Sequence, residues 1–237
     1  MSQTLDIAVI GATGTVGETL VQILEERDFP IGSLHLLASS ESAGSSVPYR
    51  GKNVRVREVD EFDFGKVQLV FFAAGPAVTL SYTARATAAG CSIIDLSGAL
   101  PAEQAPQVVP EANASVLAGL KKPFQVSSPS PAASTLAVLL APLLGLLDLQ
   151  RINLTACLAV SAQGREAVTE LARQTAELLN VRPLEPTFFD RQMAFNLLAQ
   201  VGKPDEQGHT LLEKRLVREL RQVMALPSLK ISVTCIQ

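Results

Sequence analysis

The sequence predicts an α/β protein of two domains: a doubly wound parallel sheet over residues 1–131 and an α+β domain over residues 132–237. Three observations support this fold class. Short apolar runs rich in β-branched residues alternate with amphipathic helical segments throughout the first domain. A glycine-rich turn joins the first of these strands to the first helix. From Ala132 onward the composition changes, because a long apolar helix is followed by longer strands with helices grouped between them.

The turn between the first strand, Ile7–Ile10, and the first helix carries glycine at positions 11, 14 and 17. Gly11 permits a tight turn off the strand, Gly14 lets backbone N–H groups approach a pyrophosphate, and Gly17 lets the helix pack closely. The start of the helix adds unpaired N–H donors and the positive end of a dipole. This arrangement predicts a Rossmann-like dinucleotide site formed by Gly11, Thr13, Gly14, Thr15 and Val16. The alternative is that the glycines make a tight turn and nothing more.

Further strands of the first domain are predicted from short apolar runs that end in turn residues. The polar stretch Ser39–Ser46 is expected to be a loop, and alternating charged and apolar residues over Val54–Val59 predict a half-solvated edge strand. An alanine-rich helix is expected over Val78–Ala89, capped by Gly90. The predicted strands after the first are Leu34–Ala38, Val54–Val59, Val67–Ala74, Cys91–Asp95 and Phe124–Ser127.

The second domain is predicted from three helical and two strand-like segments. We expect helices over Ala132–Leu147, Arg165–Leu179 and Thr210–Met224, strands over Ile152–Ser161 and Leu229–Cys235, and an irregular segment over Arg182–Pro204. Gln237 falls at the end of a strand, and an unfinished sheet edge is costly to expose. We therefore expect a chain that is truncated at its carboxyl end.

Composition and charge argue against several classes of function. Apolar residues make up 47% of the 237 residues and charged residues 18%, which suits a sizeable core. The net charge of −3 and a pI near 5.5 argue against nucleic acid or an anionic membrane as a partner. Three cysteines without a CxxC pair and two histidines predict no metal site. The polar amino terminus and the lack of a long apolar segment predict a cytoplasmic protein without a membrane span.

Four segments, taken together and in order, resemble the aspartate-semialdehyde dehydrogenase family: Gly11–Gly17, Leu37–Gly44, Val108–Asn113 and Ala194–Asn196. The resemblance covers essentially the whole chain. It implies an NADP-binding Rossmann domain, a second domain that forms a homodimer, and reduction of aspartyl phosphate through a cysteine thioester. That reaction needs a thiolate nucleophile, a histidine acid/base and basic groups that hold the phosphate and the carboxylate.

At the positions that match the family's catalytic motifs, the chain departs from the pattern. Ala133 stands at the nucleophile, Leu158 at the glutamine beside it and Gln237 at a substrate arginine. Pro101 replaces an arginine that grips phosphate, Leu212 and Arg215 replace a glutamate and a lysine, and the family's histidine would follow Gln237. Alanine has neither a nucleophile nor a titratable proton, so we expect no catalytic residue at these positions. The departures leave little basis for a small-molecule substrate.

The predicted cofactor loop also departs from the family. Glu41 occupies the place of an arginine that meets the 2′-phosphate of NADP. A carboxylate repels that phosphate and accepts hydrogen bonds from ribose hydroxyls, so the cofactor is NAD or NADP with NAD slightly favoured. The alternative is that Glu41 is a solvated loop acid with nothing bound. Ser42, Gly75 and Ser161 complete the expected cofactor contacts, and the Ser161–Gly164 turn narrows the space near a nicotinamide.

Isolated reactive residues receive structural interpretations. Cys157 could be a relocated nucleophile, but we interpret it as a buried apolar cysteine because no basic residue lies near it in sequence. His35 is interpreted as a structural histidine and His209 as an exposed residue before a helix. The charged residues of Thr210–Met224 could bind an anion, but i,i+4 pairing on a solvated helix face explains them.

The sequence thus predicts a homodimeric binding or regulatory protein with a dinucleotide-binding fold and without the thioester chemistry. One alternative is an oxidoreductase that acts on an aldehyde or oxo group with NAD(P) by a mechanism without cysteine. A further alternative is that the family reaction persists with another nucleophile, such as Ser134.

Overall fold

The computed structural model describes residues 4–237 and divides into two compact units, Met1–Ser130 and Pro131–Gln237. The first unit contains one sheet of seven strands in the order β3-β4-β2-β1-β5-β6-β7. Every neighbouring pair is parallel except β3–β4, which is antiparallel. The strands are β1 (Leu5–Ile10), β2 (Ile31–Ala38), β3 (Ser46–Tyr49), β4 (Lys52–Glu58), β5 (Leu69–Phe72), β6 (Ser92–Asp95) and β7 (Gln125–Ser127).

Helices cover both faces of this sheet, so the predicted doubly wound arrangement is confirmed. Ile7 and Val9 on β1 pack in one apolar cluster with Val21 and Leu24 of α1. The alternate residues of β1 pack in a second cluster on the opposite face, which includes Ala86 of α2. The helices of this unit are α1 (Thr15–Glu26), α2 (Pro76–Ala88), α3 (Pro110–Asn113) and α4 (Ser115–Ala118).

The prediction that Val54–Val59 is an edge strand is wrong. β4 pairs with β2 on one side and with β3 on the other, so β3 is the edge. The alternation along β4 arises because Val56 is buried while its sequence neighbours face solvent. We expected Ser46 to end a loop, but it begins β3. A tight turn at Arg50 and Gly51, both with positive φ, then joins β3 to β4 as a hairpin. An edge strand also accommodates Pro48.

The second unit contains a parallel two-stranded sheet of β8 (Arg151–Cys157) and β9 (Lys230–Ile236), in register from Arg151↔Lys230 to Cys157↔Ile236. One face of this sheet packs against α5 and α7. The helices are α5 (Pro131–Leu140), α6 (Arg165–Leu179) and α7 (Leu211–Val223). Within residues 4–237, no helix combines the length and the apolar character that a membrane crossing requires.

Two elements of the second unit are shorter than predicted. The apolar helix ends at Leu140 and continues as a 3₁₀ turn over Ala141–Leu143, because Pro142 interrupts the helical hydrogen bonds. The strand expected to reach Ser161 ends at Cys157, and a 3₁₀ turn over Val160–Gln163 follows it. The bounds of α6 agree with the prediction at both ends.

A buried polar pair on α6 fixes the irregular segment that follows it. The Glu170 carboxylate accepts hydrogen bonds from the backbone N–H and hydroxyl of Thr187 and from the guanidinium of Arg173. Gln174 donates to Glu170 through Nε2 and accepts from the backbone N–H groups of Met193 and Ala194 through Oε1. These contacts satisfy buried backbone donors in a segment without regular structure.

Candidate functional site

The carboxyl ends of β1, β2 and β5 open onto a cavity of about 440 Å³ in the first unit. This edge is where open parallel sheets bind ligands. The cavity is lined by Ile10, Gly11, Thr13, Gly14, Ala38, Ser39, Ser40, Ser42, Val59, Asp60, Ala73, Ala74, Gly75, Val78 and Tyr82.

The glycine-rich turn forms one wall of the cavity and has the geometry that phosphate binding requires. Gly11 has φ of +84°, and a Cβ there would lie 2.8 Å from the backbone N of Ala74. Gly14 is the N-cap of α1 and has no side-chain cap, so the start of the helix keeps N–H groups available. A Cβ on Gly17 would lie 2.1 Å from the carbonyl oxygen of Gly11, so the close helix packing expected for Gly17 is observed.

The cavity brings together five of the predicted cofactor residues: Gly11, Thr13, Gly14, Ser42 and Gly75. Thr15 and Val16 begin α1 and do not line it, and the Val16 side chain is 52% exposed. Glu41 is exposed and also lies outside the lining. Ser161 belongs to the second unit.

Sequence reasoning missed the residues that follow β2 and β4, together with two residues of α2. Ser39 and Ser40 follow β2, whereas Val59 and Asp60 follow β4. Val78 and Tyr82 contribute from α2. The carboxyl ends of parallel strands lie at one edge of the sheet, where ligands bind. The residues directly after β4 could therefore have been predicted to line the cavity.

Tyr82 and Asp60 form a hydrogen-bonded pair in the cavity wall. The Tyr82 hydroxyl donates to Oδ1 of Asp60 at 2.5 Å, and this bond is the largest cause of a raised pKa of Tyr82. Arg85 donates to the backbone carbonyls of Asp60 and Phe62 at 3.0 and 3.1 Å, and its guanidinium lies 5.5 Å from the ring centroid of Tyr82. These contacts hold both side chains of the pair in one orientation.

Ala133, which the resemblance aligns with the family's nucleophile, is fully buried in the apolar core of the second unit. Leu158 packs against the same cluster. Cys235 belongs to this cluster as well, and burial together with the Glu213 charge raises the pKa of its thiol to about 11. The Cys235 thiol is therefore uncharged near neutral pH and is a poor nucleophile.

Gln237, which the resemblance aligns with a substrate arginine, is buried and joins three segments. Gln163 donates to its Oε1 at 2.5 Å, and its own Nε2 donates to the carbonyl of Ala159. Its backbone N–H and carbonyl pair with the carbonyl and N–H of Leu198. The amide thus holds a neutral network where a cationic clamp was expected from the resemblance.

The other replaced positions are occupied by groups with structural partners. Arg215 pairs with Glu219 at 2.6 Å through its Nε, and Leu212 packs at the rim of the apolar cluster. The carbonyl of Pro101 accepts from the backbone N–H groups of Gln104 and Ala105. Pro101 and Leu212 carry no charge, and the guanidinium of Arg215 is paired with Glu219.

The structure corrects two interpretations of isolated residues. Cys157 is exposed, not buried, because it alternates with Ile152 and Ala156 and so lies on the face of β8 away from the core. The charges of α7 do not all lie on a solvated face, since Glu213 and Glu219 are buried. Glu213 completes a capping box with Thr210 and also accepts from the backbone N–H of Cys235.

The positions of the two histidines agree with the sequence analysis, which interpreted His35 as structural and His209 as an exposed residue before a helix. His35 is half-buried on β2 beside Phe62, with ring centroids 5.2 Å apart, and burial is the largest cause of its lowered pKa. His209 is exposed before α7, where its backbone N–H donates to Asp205. In the part of the chain that the structure describes, no three His, Cys, Asp or Glu residues are placed to hold a metal.

Comparisons with known proteins confirm the resemblance. Residues 6–120 match the semialdehyde dehydrogenase NAD binding domain, and residues 140–237 match the semialdehyde dehydrogenase dimerisation domain. A USG-1 protein homolog from Azotobacter vinelandii is 60% identical over 236 residues, which cover 100% of this chain and 70% of that protein.

Named enzymes of the family are similar at lower identity. Aspartate-semialdehyde dehydrogenase 2 of Vibrio cholerae is 36% identical over 238 residues, which cover 100% of this chain and 71% of that protein. A crystal structure of aspartate semialdehyde dehydrogenase II from Vibrio cholerae matches with a TM-score of 0.94 and 36% identity, covering 99% of this chain and 70% of that one. The chain therefore belongs to the aspartate-semialdehyde dehydrogenase family, with that family's NAD-binding and dimerisation domains.

Proposed function

We propose that this chain is a dinucleotide-binding member of the family that does not carry out thioester dehydrogenase chemistry and acts as a homodimeric binding or regulatory protein. The observation that carries the proposal is Ala133, a methyl side chain with no exposed surface at the position of the nucleophile. A thioester requires a thiolate that the substrate carbonyl can reach.

No neighbouring thiol supplies a substitute. Cys235 is buried, and its raised pKa keeps it protonated. Cys157 lies on the opposite face of the two-stranded sheet from the cluster that contains Ala133. Ser134 follows Ala133 on α5, and one residue along a helix turns a side chain by about 100°.

The groups that would hold a charged substrate are also missing. Gln237 is neutral and uses its side-chain oxygen and nitrogen in bonds to Gln163 and Ala159. Leu212 is apolar, and Arg215 is paired with Glu219. Because a charged hydrogen bond is about twice as strong as a neutral one, these replacements weaken binding of a phosphate or carboxylate substrate.

We propose that the bound dinucleotide is NAD in preference to NADP. Among the described residues that line the cavity, Asp60 is the one charged side chain, and no lysine or arginine is present. Glu41 is an exposed acid in the loop after β2, outside the cavity lining. A 2′-phosphate needs a cationic partner, whereas the hydroxyls of Ser39, Ser40 and Ser42 suit a ribose with free hydroxyls.

Homodimer formation is proposed from the match of residues 140–237 to a dimerisation domain. The second unit also exposes large apolar side chains, including Val181 at 93%, Phe195 at 73% and Leu197 at 66%. Exposed apolar side chains of this size are typical of surfaces that another chain covers.

The test is an assay of the purified chain with aspartate semialdehyde, phosphate and either NAD or NADP, monitored by absorbance of the reduced nicotinamide. Aspartate-semialdehyde dehydrogenase 2 of Vibrio cholerae serves as the positive control. We expect no reduced nucleotide above a reaction without protein. Turnover that depends on phosphate would overturn the proposal.

A further inference from the structure

Among the described residues that line the cavity of the first unit is one acid, Asp60, which belongs neither to the glycine-rich turn nor to the loop that contains Ser39, Ser40 and Ser42 (the serine loop). Asp60 lines this cavity with its carboxylate held by Tyr82. We propose that Asp60 recognises the exocyclic amino group of an adenine base and that Tyr82 positions it, so that the pair selects adenine dinucleotides. This inference rests on the proposed dinucleotide binding.

The order of the strands places Asp60 where the base of a bound dinucleotide would lie. The glycine-rich turn that faces the phosphates follows β1, the serine loop follows β2, and Asp60 follows β4. Adjacent strands lie about 4.8 Å apart, so the end of β4 is about 10 Å from the end of β1. A nucleotide laid from the phosphates outward therefore meets the serines with its ribose and Asp60 with its base.

The walls near Asp60 suit a flat aromatic ring. Val59 directly precedes it, while Val78 and Tyr82 face the cavity from α2. Two branched aliphatic side chains and a phenol ring provide the apolar contact that a base requires on its faces. The Tyr82 ring is in turn fixed by its hydroxyl bond to Asp60 and by the Arg85 guanidinium.

One oxygen of the carboxylate remains for a ligand. Oδ1 of Asp60 accepts from Tyr82, and Arg85 bonds the backbone carbonyl instead of the side chain. Within residues 4–237, Oδ2 of Asp60 has no hydrogen-bond partner. An ionised carboxylate accepts hydrogen bonds only, and the amino group at position 6 of adenine is a donor.

The test compares two ligands by calorimetric titration: NAD and nicotinamide hypoxanthine dinucleotide, in which a carbonyl oxygen replaces the amino group. The two ligands share their ribose, phosphate and nicotinamide parts. Because a hydrogen bond to a charged group contributes about tenfold or more in affinity, we expect NAD to bind at least tenfold more tightly. Equal affinities for the two ligands would overturn the inference.

Three variants test whether Asp60 and Tyr82 cause the preference for NAD over the hypoxanthine ligand. Asp60→Asn keeps an acceptor for Tyr82 and presents an amide N–H₂ to the base, so we expect NAD to lose its advantage over the hypoxanthine ligand. Glu61→Gln removes the same charge one residue away, at a position outside the cavity lining, and should keep the full preference. Tyr82→Phe should lower the preference without abolishing binding, because the carboxylate loses its orientation.

The outcomes separate this inference from the proposed function. If the unmodified chain binds neither ligand, dinucleotide binding itself is wrong. If it binds NAD but Asp60→Asn and Glu61→Gln have the same ligand preference, dinucleotide binding stands and the role of Asp60 is wrong.

Discussion

The Gln163 side chain donates a 2.5 Å hydrogen bond to the side-chain oxygen of Gln237, and this contact joins the end of β9 to the turn after β8. The sequence resemblance aligns Gln237 with an arginine that holds substrate in the family. It aligns Gln163 with a small residue of the family's turn. The two replacements are complementary, since a neutral amide pair satisfies both side chains without a ligand. This pairing gives the two amide side chains a partner within the second unit.

Ala133→Cys alone is expected to leave the chain without dehydrogenase activity. The introduced thiol would lie in the apolar cluster that contains Leu158 and Cys235, where burial disfavours the thiolate. The substrate clamp at Gln237 would still be missing. The measurement is reduced nicotinamide formation with aspartate semialdehyde and phosphate. Turnover by this single variant would show that the replaced nucleophile is the one barrier to catalysis.

Thiol accessibility gives an independent check of the same variant. Titration with a chromophoric disulfide reagent should modify the exposed Cys157 first in both the unmodified chain and Ala133→Cys. The introduced thiol should react as slowly as Cys91 and Cys235, which are buried. Rapid reaction of a second thiol in the variant would contradict the buried position of residue 133.

Gly17→Ala is expected to lower the free energy of unfolding by about 1–3 kcal/mol or more, because overpacking strains a close contact. The added Cβ would lie 2.1 Å from the Gly11 carbonyl oxygen, which is backbone and has little freedom to move. Gly75→Ala is the matched control, since a Cβ there meets no atom within 4 Å. Urea unfolding followed by circular dichroism should show a loss of stability for Gly17→Ala and little change for the control.

Gly14→Val is expected to abolish nucleotide binding without unfolding the protein. A Cβ at this position would contact the Gly11 carbonyl oxygen at 3.4 Å, and the extended backbone of Gly14 suits a β-branched residue. The side chain would occupy space that the cavity offers to a phosphate. Unchanged calorimetric titration with NAD would mean that the glycine-rich turn is structural only.

The stability of the second unit is expected to fall as the pH drops from about 4.5 toward 2. Hydrogen bonds from Gln174, Arg173 and Thr187 lower the pKa of Glu170 from 4.5 to about 2. A depressed carboxyl pKa contributes stability above the pKa of the unfolded chain, and this contribution disappears as pH falls through the folded-state pKa. Urea unfolding of Glu170→Gln should be less dependent on pH in this window.

Glu166→Gln is the control for this pH dependence, because Glu166 is an exposed acid on the same helix. Its unfolding should keep the pH profile of the unmodified chain. Identical profiles for Glu170→Gln and the unmodified chain would mean that other acids determine the loss of stability at low pH.

Phe195→Asp is expected to shift the homodimer toward monomer without destabilising the fold. Phe195 is 73% exposed and has φ of +58°, a conformation that aspartate tolerates better than phenylalanine. Leu80→Asp, which replaces a 59% exposed apolar residue of the first unit, is the control. Sedimentation velocity should show dissociation for Phe195→Asp alone. A Phe195→Asp variant that remains dimeric would place the dimer contact elsewhere.

The sequence predicts best where local pattern and local chemistry determine the structure. The strand, glycine-rich turn and helix around Gly11–Gly17 follow from residues adjacent in the chain, and so do the bounds of α6. Period-2 alternation along β8 could have predicted the exposure of Cys157, but the lack of a nearby basic residue favoured the wrong interpretation.

Contacts between residues distant in sequence could not be predicted. Asp60 and Tyr82 are 22 residues apart and meet because β4 ends, and α2 begins, at the same edge of the sheet. Glu170 and Gln174 lie on α6 among polar residues typical of a solvated face, yet they are buried by a segment 17 to 20 residues further along. β3 was not predicted, because pairing with β4, and not the local sequence, determines the conformation of this four-residue edge strand.

Calorimetric titration of the purified chain with NAD and with NADP, side by side, tests the central claim most directly. The account predicts saturable binding of NAD at micromolar strength and weaker binding of NADP, because the described residues that line the cavity offer serine hydroxyls to the ribose and include no lysine or arginine. Absence of heat with both nucleotides would contradict dinucleotide binding. Tighter binding of NADP would contradict the proposed preference for NAD.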